Sequence, residues 1–334
     1  MKYIRNFSAH TDYEAEMSKI PTPSVSYCRK ENECHFMPNN VIMFKVGDLN
    51  GNTNQTVTVN YYEGGSETIP ITEGNKWYVH EIPSGKSLNK FVGIKEITDT
   101  IISAKIKIYF GAIINNIRGN LTFIACDTSD ITNMWYMFNN AGNITSLDVS
   151  ILDTSNVTDM SYMFQSCRGL QTLDVSNWDV SKVTTMNRMF NGCASLQSLD
   201  LSNWNVANVT SMEVMFGNCS SFQTLNLSGW NTSKVTNMFA MFSRCSSFQT
   251  LNLSGWNTSK VTNMNIMFQL CEKLQSLDLS NWNVANVTTM SDMFKYCDSL
   301  KTIIMKGCNQ TTIDKIKAQL ETDGILNNVT IITE

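Results

Sequence analysis

Charge is scarce in this sequence: Asp, Glu, Lys and Arg make up 16% of its 334 residues, against roughly 25% in ordinary soluble domains. The 25 basic and 29 acidic side chains nearly cancel, leaving a formal net charge of -4. No long-range positive field is available to hold a phosphate backbone, so nucleic acid is not an expected partner. Histidine is nearly absent as well. His10, His35 and His80 are the three in the chain, and none stands in a nucleophile or base pattern, which argues against a hydrolase. There is no CxxC pair and no His at ligand spacing from the main cysteines, so neither metal nor other cofactor is expected. Long hydrophobic runs are missing too. The most apolar stretch, Ile101 to Ile114, is broken by Lys105 and Lys107 and is too short to span a bilayer, so no membrane insertion is expected. The opening residues carry Lys2 and Arg5 without an apolar run, and do not read as a secretory signal. The low charge is not disorder, because 42% of the residues are hydrophobic, ample for a core.

What the chain has instead is repetition. Met-Phe recurs at Met137, Met163, Met189, Met215, Met241, Met267 and Met293, always 26 residues apart. Cys167, Cys193, Cys219, Cys245, Cys271 and Cys297 keep the same step, as do Trp178, Trp204, Trp230, Trp256 and Trp282. In the unit Leu199 to Phe222, Leu199 and Leu201 alternate with Asp200 and Ser202, the period-two pattern of a short strand with one buried face. Beyond Asn208, the residues Val209, Met212, Met215, Phe216 and Cys219 fall at intervals of three, three, one and three. That spacing predicts a short amphipathic helix. Neither element buries its apolar face alone, so the units are expected to stack as an α/β solenoid, a parallel strand ladder plus short helices. Leu121 and Phe123 look like a degraded first strand, with Cys126 in the tryptophan slot, and Ile303, Met305 and Cys308 repeat that logic at the far end. A helical run near Thr312 to Leu320 and a strand at Val329 to Ile332 read as a cap.

The phrases LDVSNWDVSKVTTMNRMFNGCASL and LDLSNWNVANVTSMEVMFGNCSSF strongly resemble the BspA-like leucine-rich repeats, in the subtype abundant in mycoplasma surface lipoproteins. The resemblance covers about Leu121 to Met305. It implies a leucine-rich-repeat solenoid and a role in surface adhesion or binding, with no catalytic residues to transfer. Those relatives usually carry an export signal, which is not recognised here.

Before about residue 118 the 26-residue period is absent. TVTVNYY at Thr56 to Tyr62, WYVHEI at Trp77 to Ile82 and KIKIYF at Lys105 to Phe110 alternate as strands do, predicting a small all-β domain. The expected organisation is an attachment segment at 1–40, a β-domain at 41–117, a solenoid of seven units at 118–309 and a cap at 310–334. Within the first segment, a short helix is expected at Thr11 to Met17. The elements HTDYEA, PSVSYC and ECHFMP resemble the N-terminal stretch of structural proteins from Bacteroides-infecting phages, including crAss-like phages. That resemblance implies incorporation into a virion, with virion structural proteins as partners. Cys28 and Cys34 with His35 form a weak metal pattern, and a surface turn or a disulfide is the better account.

The cysteine column reads as small, apolar core filling. The column Asp148, Asp174, Asp200, Asn226, Asn252 and Asp278 lacks the glycines of a calcium ladder, and is expected to hydrogen-bond along the sheet's solvent face. Between the core methionines the residues vary freely. Large side chains occur there where solvent is expected, which makes Trp135, Tyr136, Tyr162, Arg188, Phe239, Arg244, Ile266 and Tyr296 candidate ligand-binding residues. Drift at unconstrained sites is the alternative. The function expected is non-enzymatic binding: a phage appendage contacting a host surface glycan or protein, located on the virion. The alternative is an adhesin on a bacterial cell surface, and a polysaccharide-acting enzyme is a distant third.

Overall fold

A computed structural model describes residues 131–150, 152–227 and 229–334, and before them residues 25–30, 33–37, 41–46, 55–61, 64–73, 77–81, 83, 88–92, 97–103 and 117–125. The Leu of each unit, replaced by Ile303 in the last, sits in a short strand: Ile144–Asp148, Thr172–Leu173, Ser198–Asp200, Thr224–Asn226, Thr250–Asn252, Ser276–Asp278 and Thr302–Ile304. Neighbouring strands pair parallel with a 26-residue register in three groups, as in Leu147 opposite Leu173, Leu199 opposite Leu225 and Leu251 opposite Leu277. A second parallel ladder runs through Asn133, Asp159, Thr185, Ser211, Asn237, Asn263 and Thr289. Beside it, each threonine from Thr158 to Thr288 donates its backbone N–H to the carbonyl of the threonine 26 residues earlier. The hydroxyl bonds the same carbonyl, at 3.1 Å for Thr184 on Thr158, so this exposed column is constant for structural reasons.

The helix expected after each strand is not formed. Residues 135–140 and their equivalents fold as successive tight turns, and Gln310–Thr322 is the one α-helix among the described residues. The hydrogen bonds alternate along the segment. Met137 and Asn139 donate N–H to Met134 and Tyr136 within the unit, while Tyr136, Phe138 and Asn140 donate to the carbonyls of Ser161, Met163 and Gln165 in the next, at 3.1, 2.8 and 2.7 Å. Two residues per unit adopt positive φ, such as Tyr136 at 59° and Asn140 at 60°, which an α-helix of L-residues does not admit. The reason lies in the pitch. Hydrogen-bonded strands stack about 4.8 Å apart, whereas helices with side chains are about 10 Å wide, so helices could follow the strands only on the outside of a curved horseshoe, while these tight turns hydrogen-bond directly to the next unit. The three-residue closure of each tight turn still returns every third side chain to the core, which is why the spacing imitates a helix.

Inside, side chains stack in columns. Phe138, Phe164, Phe190, Phe216, Phe242, Phe268 and Phe294 lie nearly parallel with centroids 5.3 to 5.8 Å apart, and the five repeat tryptophans stack at 6.1 to 6.5 Å (Trp256 to Trp282 excepted). Each tryptophan Nε1–H donates to the carbonyl 29 residues earlier, Trp204 to Val175 at 3.0 Å for example. The six repeat cysteines are buried, as expected, and they too are donors: Cys219 Sγ reaches the Phe190 carbonyl at 3.0 Å and Cys245 the Phe216 carbonyl at 3.0 Å. Cys308, in the tryptophan slot, keeps the tryptophan's bond by reaching the Leu279 carbonyl at 3.3 Å. The column therefore satisfies buried carbonyls rather than merely filling space. Burial pushes the Cys219 and Cys297 thiols up to about 12, which keeps them protonated and able to donate.

The Asp/Asn column also works differently from expectation. Asp174 and Asp200 each accept the backbone N–H of the serine two residues on through Oδ1, both at 3.0 Å, an Asx turn that reverses the chain after the strand. The bonds lie within a unit rather than along the sheet.

Both ends of the ladder are occupied. Ile117–Ala125 pairs parallel with Ile144–Asp148 on one side, placing Leu121 opposite Leu147, and with Ile97–Ser103 on the other. The sheet continues antiparallel through Val41–Val46 to Trp77–Glu81, and Gln55–Tyr61 pairs separately with Ser66–Ile71 and Leu88–Val92. At the C-terminal end the helix Gln310–Thr322 is N-capped by Asn309, whose side chain accepts from Thr312 N–H, and buries Ile313, Ile316 and Leu320. Lys315 Nζ donates to the carbonyls of Val284, Ala285 and Val287, and Asp323 Oδ2 accepts Phe294 N–H at 2.8 Å. That carboxylate stands where each earlier phenylalanine finds a carbonyl of the following unit. Thr330–Ile332 then adds a last parallel strand. The expected helix at Thr11 to Met17 and strand at Lys105 to Phe110 lie outside the described residues.

Candidate binding site

The candidate residues fall in three columns of the tight-turn face, not on helices. Tyr136, Tyr162, Arg188 and Ile266 share the first positive-φ position of their units, at 59°, 61°, 55° and 63°, and Arg244 and Tyr296 share the second, both at 63°. Trp135 and Phe239 occupy the position just before the first. The 26-residue register brings four of the eight together. The Tyr136 and Tyr162 rings stack with centroids 4.5 Å apart, and Trp135 meets Tyr136 edge to face at 4.6 Å. The Arg188 guanidinium lies 5.7 Å from the centre of the Tyr162 ring, an ordinary cation–π distance. Arg188 also pairs with Glu213 at 3.1 Å, while its Nε is enclosed without a hydrogen-bond partner. The result is a strip of aromatic and charged groups crossing four turns. Burial raises the pKa of the Tyr136 phenol, the neighbouring Tyr162 adds to the rise, and Arg188 partly offsets it.

The remaining candidates do not join that strip. Phe239 lies four turns beyond Trp135, Ile266 five turns beyond Tyr136, and Arg244 stands exposed in the second column. Tyr296 is 52% exposed, and Lys295 Nζ lies 5.8 Å from the centre of its ring. Sequence reasoning missed Glu213 and Lys295. Glu213 is set beside Arg188 by the turn-to-turn hydrogen bonds, which step by 25 residues, a step the 26-residue sequence period does not disclose.

Elsewhere, a shallow concavity of about 460 Å³ on the strand face is lined by Ser146, Asp148, Thr172, Asp174, Ser198 and Asp200, among others. His80, expected to stand without a base arrangement, has Tyr61 Oη at 3.0 Å and Glu67 Oε2 at 3.4 Å from its Nε2. Burial and the nearby Glu67 carboxylate push the Tyr61 phenol up to about 12. Both contacts use one ring nitrogen and include no strong nucleophile. Among the described residues no group of three or more His, Cys, Asp or Glu is placed to hold a metal ion. The hairpin Val25–Lys30 and Glu33–Met37 sets Cys28 opposite Cys34 along the backbone; their side chains, like that of His35, lie outside the description.

Fold and surface together define a repeat solenoid of leucine-bearing parallel strands, joined by stacked turns that present variable side chains. The family model described as "Mycoplasma protein of unknown function, DUF285" matches residues 114–225 and again 215–322, and the chain belongs to that family. Comparison with curated proteins gives no match. Among solved structures, the chain is similar to a chain of the TLR13-ssRNA13 complex at 14% identity, over 72% of this chain and 36% of that one, with a TM-score of 0.28. A likeness that small carries nothing about ligand or function. Among the described residues, no helix is long and apolar enough to cross a membrane.

Proposed function

We propose that this chain is a non-enzymatic binding protein whose solenoid adheres to a partner at a cell surface through its tight-turn face. The supporting observation is the strip Trp135, Tyr136, Tyr162 and Arg188. Trp, Tyr and Arg are the residues that dominate binding hot spots, and three of these four occupy left-handed backbone where Asn or Gly would cost least. Membership of the DUF285 family supports a surface-exposed setting. The finer reading places the protein on a phage virion, attached through residues 1–40 and contacting a host surface glycan or protein; its support is the resemblance of HTDYEA, PSVSYC and ECHFMP to phage structural proteins.

The test is adhesion of the purified full chain to bacterial cells, compared with a Trp135→Ser/Tyr162→Ser variant. Adhesion reduced at least tenfold is expected; undiminished adhesion would remove this face from the proposal. Antibody against the chain should label intact virions in the phage reading, and label only cell envelopes in the adhesin reading.

A further inference from the structure

We infer that the N-terminal end of the tight-turn face takes a neutral carbohydrate chain, with Trp135 as the stacking platform; this rests on the binding function proposed above. Trp135 is 46% exposed, whereas the five repeat tryptophans are at most 3% exposed. An exposed indole held edge to face against Tyr136, itself stacked on Tyr162, is a rigid plate rather than a free side chain. It offers an apolar face of the size of a pyranose ring at little entropic cost on binding.

The neighbourhood decides between a saccharide and a protein. A stable protein interface buries about 800 Å² on each partner around an apolar core. Among the described residues only Trp135, Tyr296 and Ile332 are large, hydrophobic and exposed, and they are scattered along the solenoid, so no such core exists. On the two turns that carry the Trp135 plate the half-buried amide of Gln165 is held by the buried Asn139, whose Nδ2 donates to Gln165 Oε1 at 3.1 Å, and two turns further along the strip Arg188 pairs with Glu213 at 3.1 Å. Such groups pair with vicinal hydroxyls through two hydrogen bonds at once. The Arg188 charge is matched by Glu213, leaving no unpaired cation in the strip, which favours neutral over acidic sugars.

The experiment is calorimetric titration of the full chain with soluble mannan, galactan, β-glucan and N-acetylglucosamine oligomers. At least one should bind. Trp135→Ala should weaken that binding about thirty-fold, Trp135→Phe less, and Tyr296→Ala not at all. Trp135→Phe keeps an aromatic ring beside Tyr136, so its thermal unfolding should match the parent and its binding loss reports on the site rather than on stability. Saccharide binding unaffected by Trp135→Ala overturns the assignment of the site. If no saccharide binds while cell adhesion still depends on Trp135, the partner is a protein: this inference falls and the adhesion function stands. If the chain neither binds saccharide nor adheres to cells, both fall together.

Discussion

Two columns on the same turns, four residues apart, share a left-handed backbone and differ in what fills it. The second holds Asn140, Ser166, Gly192 and Asn218 before passing to Arg244, Leu270 and Tyr296. Its first four members largely obey the backbone, since Gly and Asn adopt positive φ most readily. The first holds Tyr136, Tyr162, Arg188, Val214, Ala240, Ile266 and Asp292, with neither Gly nor Asn, although left-handed geometry costs other residues roughly 1–2 kcal/mol each. Val214 and Ala240 are buried, and Tyr136, Tyr162 and Arg188 pack on one another. In the first column side-chain contacts outweigh backbone preference; in the second the backbone decides until the last three turns. The interior is stricter than either, with one phenylalanine per turn and one cysteine in all but the first.

The largest expected effect strikes that interior through pH. Buried thiols Cys193, Cys219, Cys245, Cys271 and Cys297 are all raised, with burial as the leading cause for four and the hydrogen bond with Cys167 leading for Cys193. Unfolded thiols titrate near 8.5. Between about 8.5 and about 12 the unfolded chain therefore holds fewer protons than the folded one, and stability falls as pH rises. The slope is about 1.4 kcal/mol per pH unit for each thiol. The urea midpoint should be level from about pH 6.5 to 8 and drop steeply above 9, and Cys219→Ala should shed one thiol's share of the slope. A midpoint that stays level through pH 10 would show that the column does not carry protonated donors.

The next effect breaks the first column itself. Val214 has φ of 53° and donates its N–H to the Phe239 carbonyl at 2.8 Å. Val214→Pro imposes φ near -65° and removes that donor, so a loss of at least about 3 kcal/mol is expected. Val214→Ala is the control, because Ala240 fills the equivalent slot one turn on; it should cost no more than about 1.5 kcal/mol. Equal losses from the two would mean the tight-turn ladder contributes nothing that side-chain volume does not.

These contrasts mark what the sequence discloses. The 26-residue period passes through seven units without an insertion, so the ladder register, the phenylalanine stack and the strand at each Leu were all readable. The tight turns were not, because their three-residue closure gives Val209, Met212 and Met215 the spacing of a helix, and because Tyr, Arg and Val at the first position hide a backbone that Gly would have announced. The Asx turns left a trace in the Asp-x-Ser of Asp174 to Ser176, but that pattern also fits a solvent-facing strand. For the binding strip, variability picked out Tyr136, Tyr162 and Arg188. Their stacking follows from the 26-residue register, but the place of Glu213 beside Arg188 depends on the 25-residue step of the turn-to-turn bonds, which no residue type encodes.

The smallest effect falls where the second column passes from Asn and Gly to larger side chains. Arg244 is exposed at φ of 63° in the second column; its N–H reaches the Gln269 carbonyl at 2.8 Å, as any residue's would there, but its side chain makes no hydrogen bond, ion pair or ring contact with the described residues to repay the left-handed backbone. Arg244→Asn should stabilise the chain by about 0.5–1 kcal/mol, since Asn tolerates that region better. The same replacement at Tyr162, whose ring lies between Tyr136 and Arg188, should give no such gain, because relief of the backbone is offset by loss of stacking worth about 0.5–1.5 kcal/mol. Paired thermal unfolding of the two variants decides the matter. A gain at both positions would mean that the first column is under the same backbone rule as the second, and that its aromatic residues are retained at a cost in stability for binding alone.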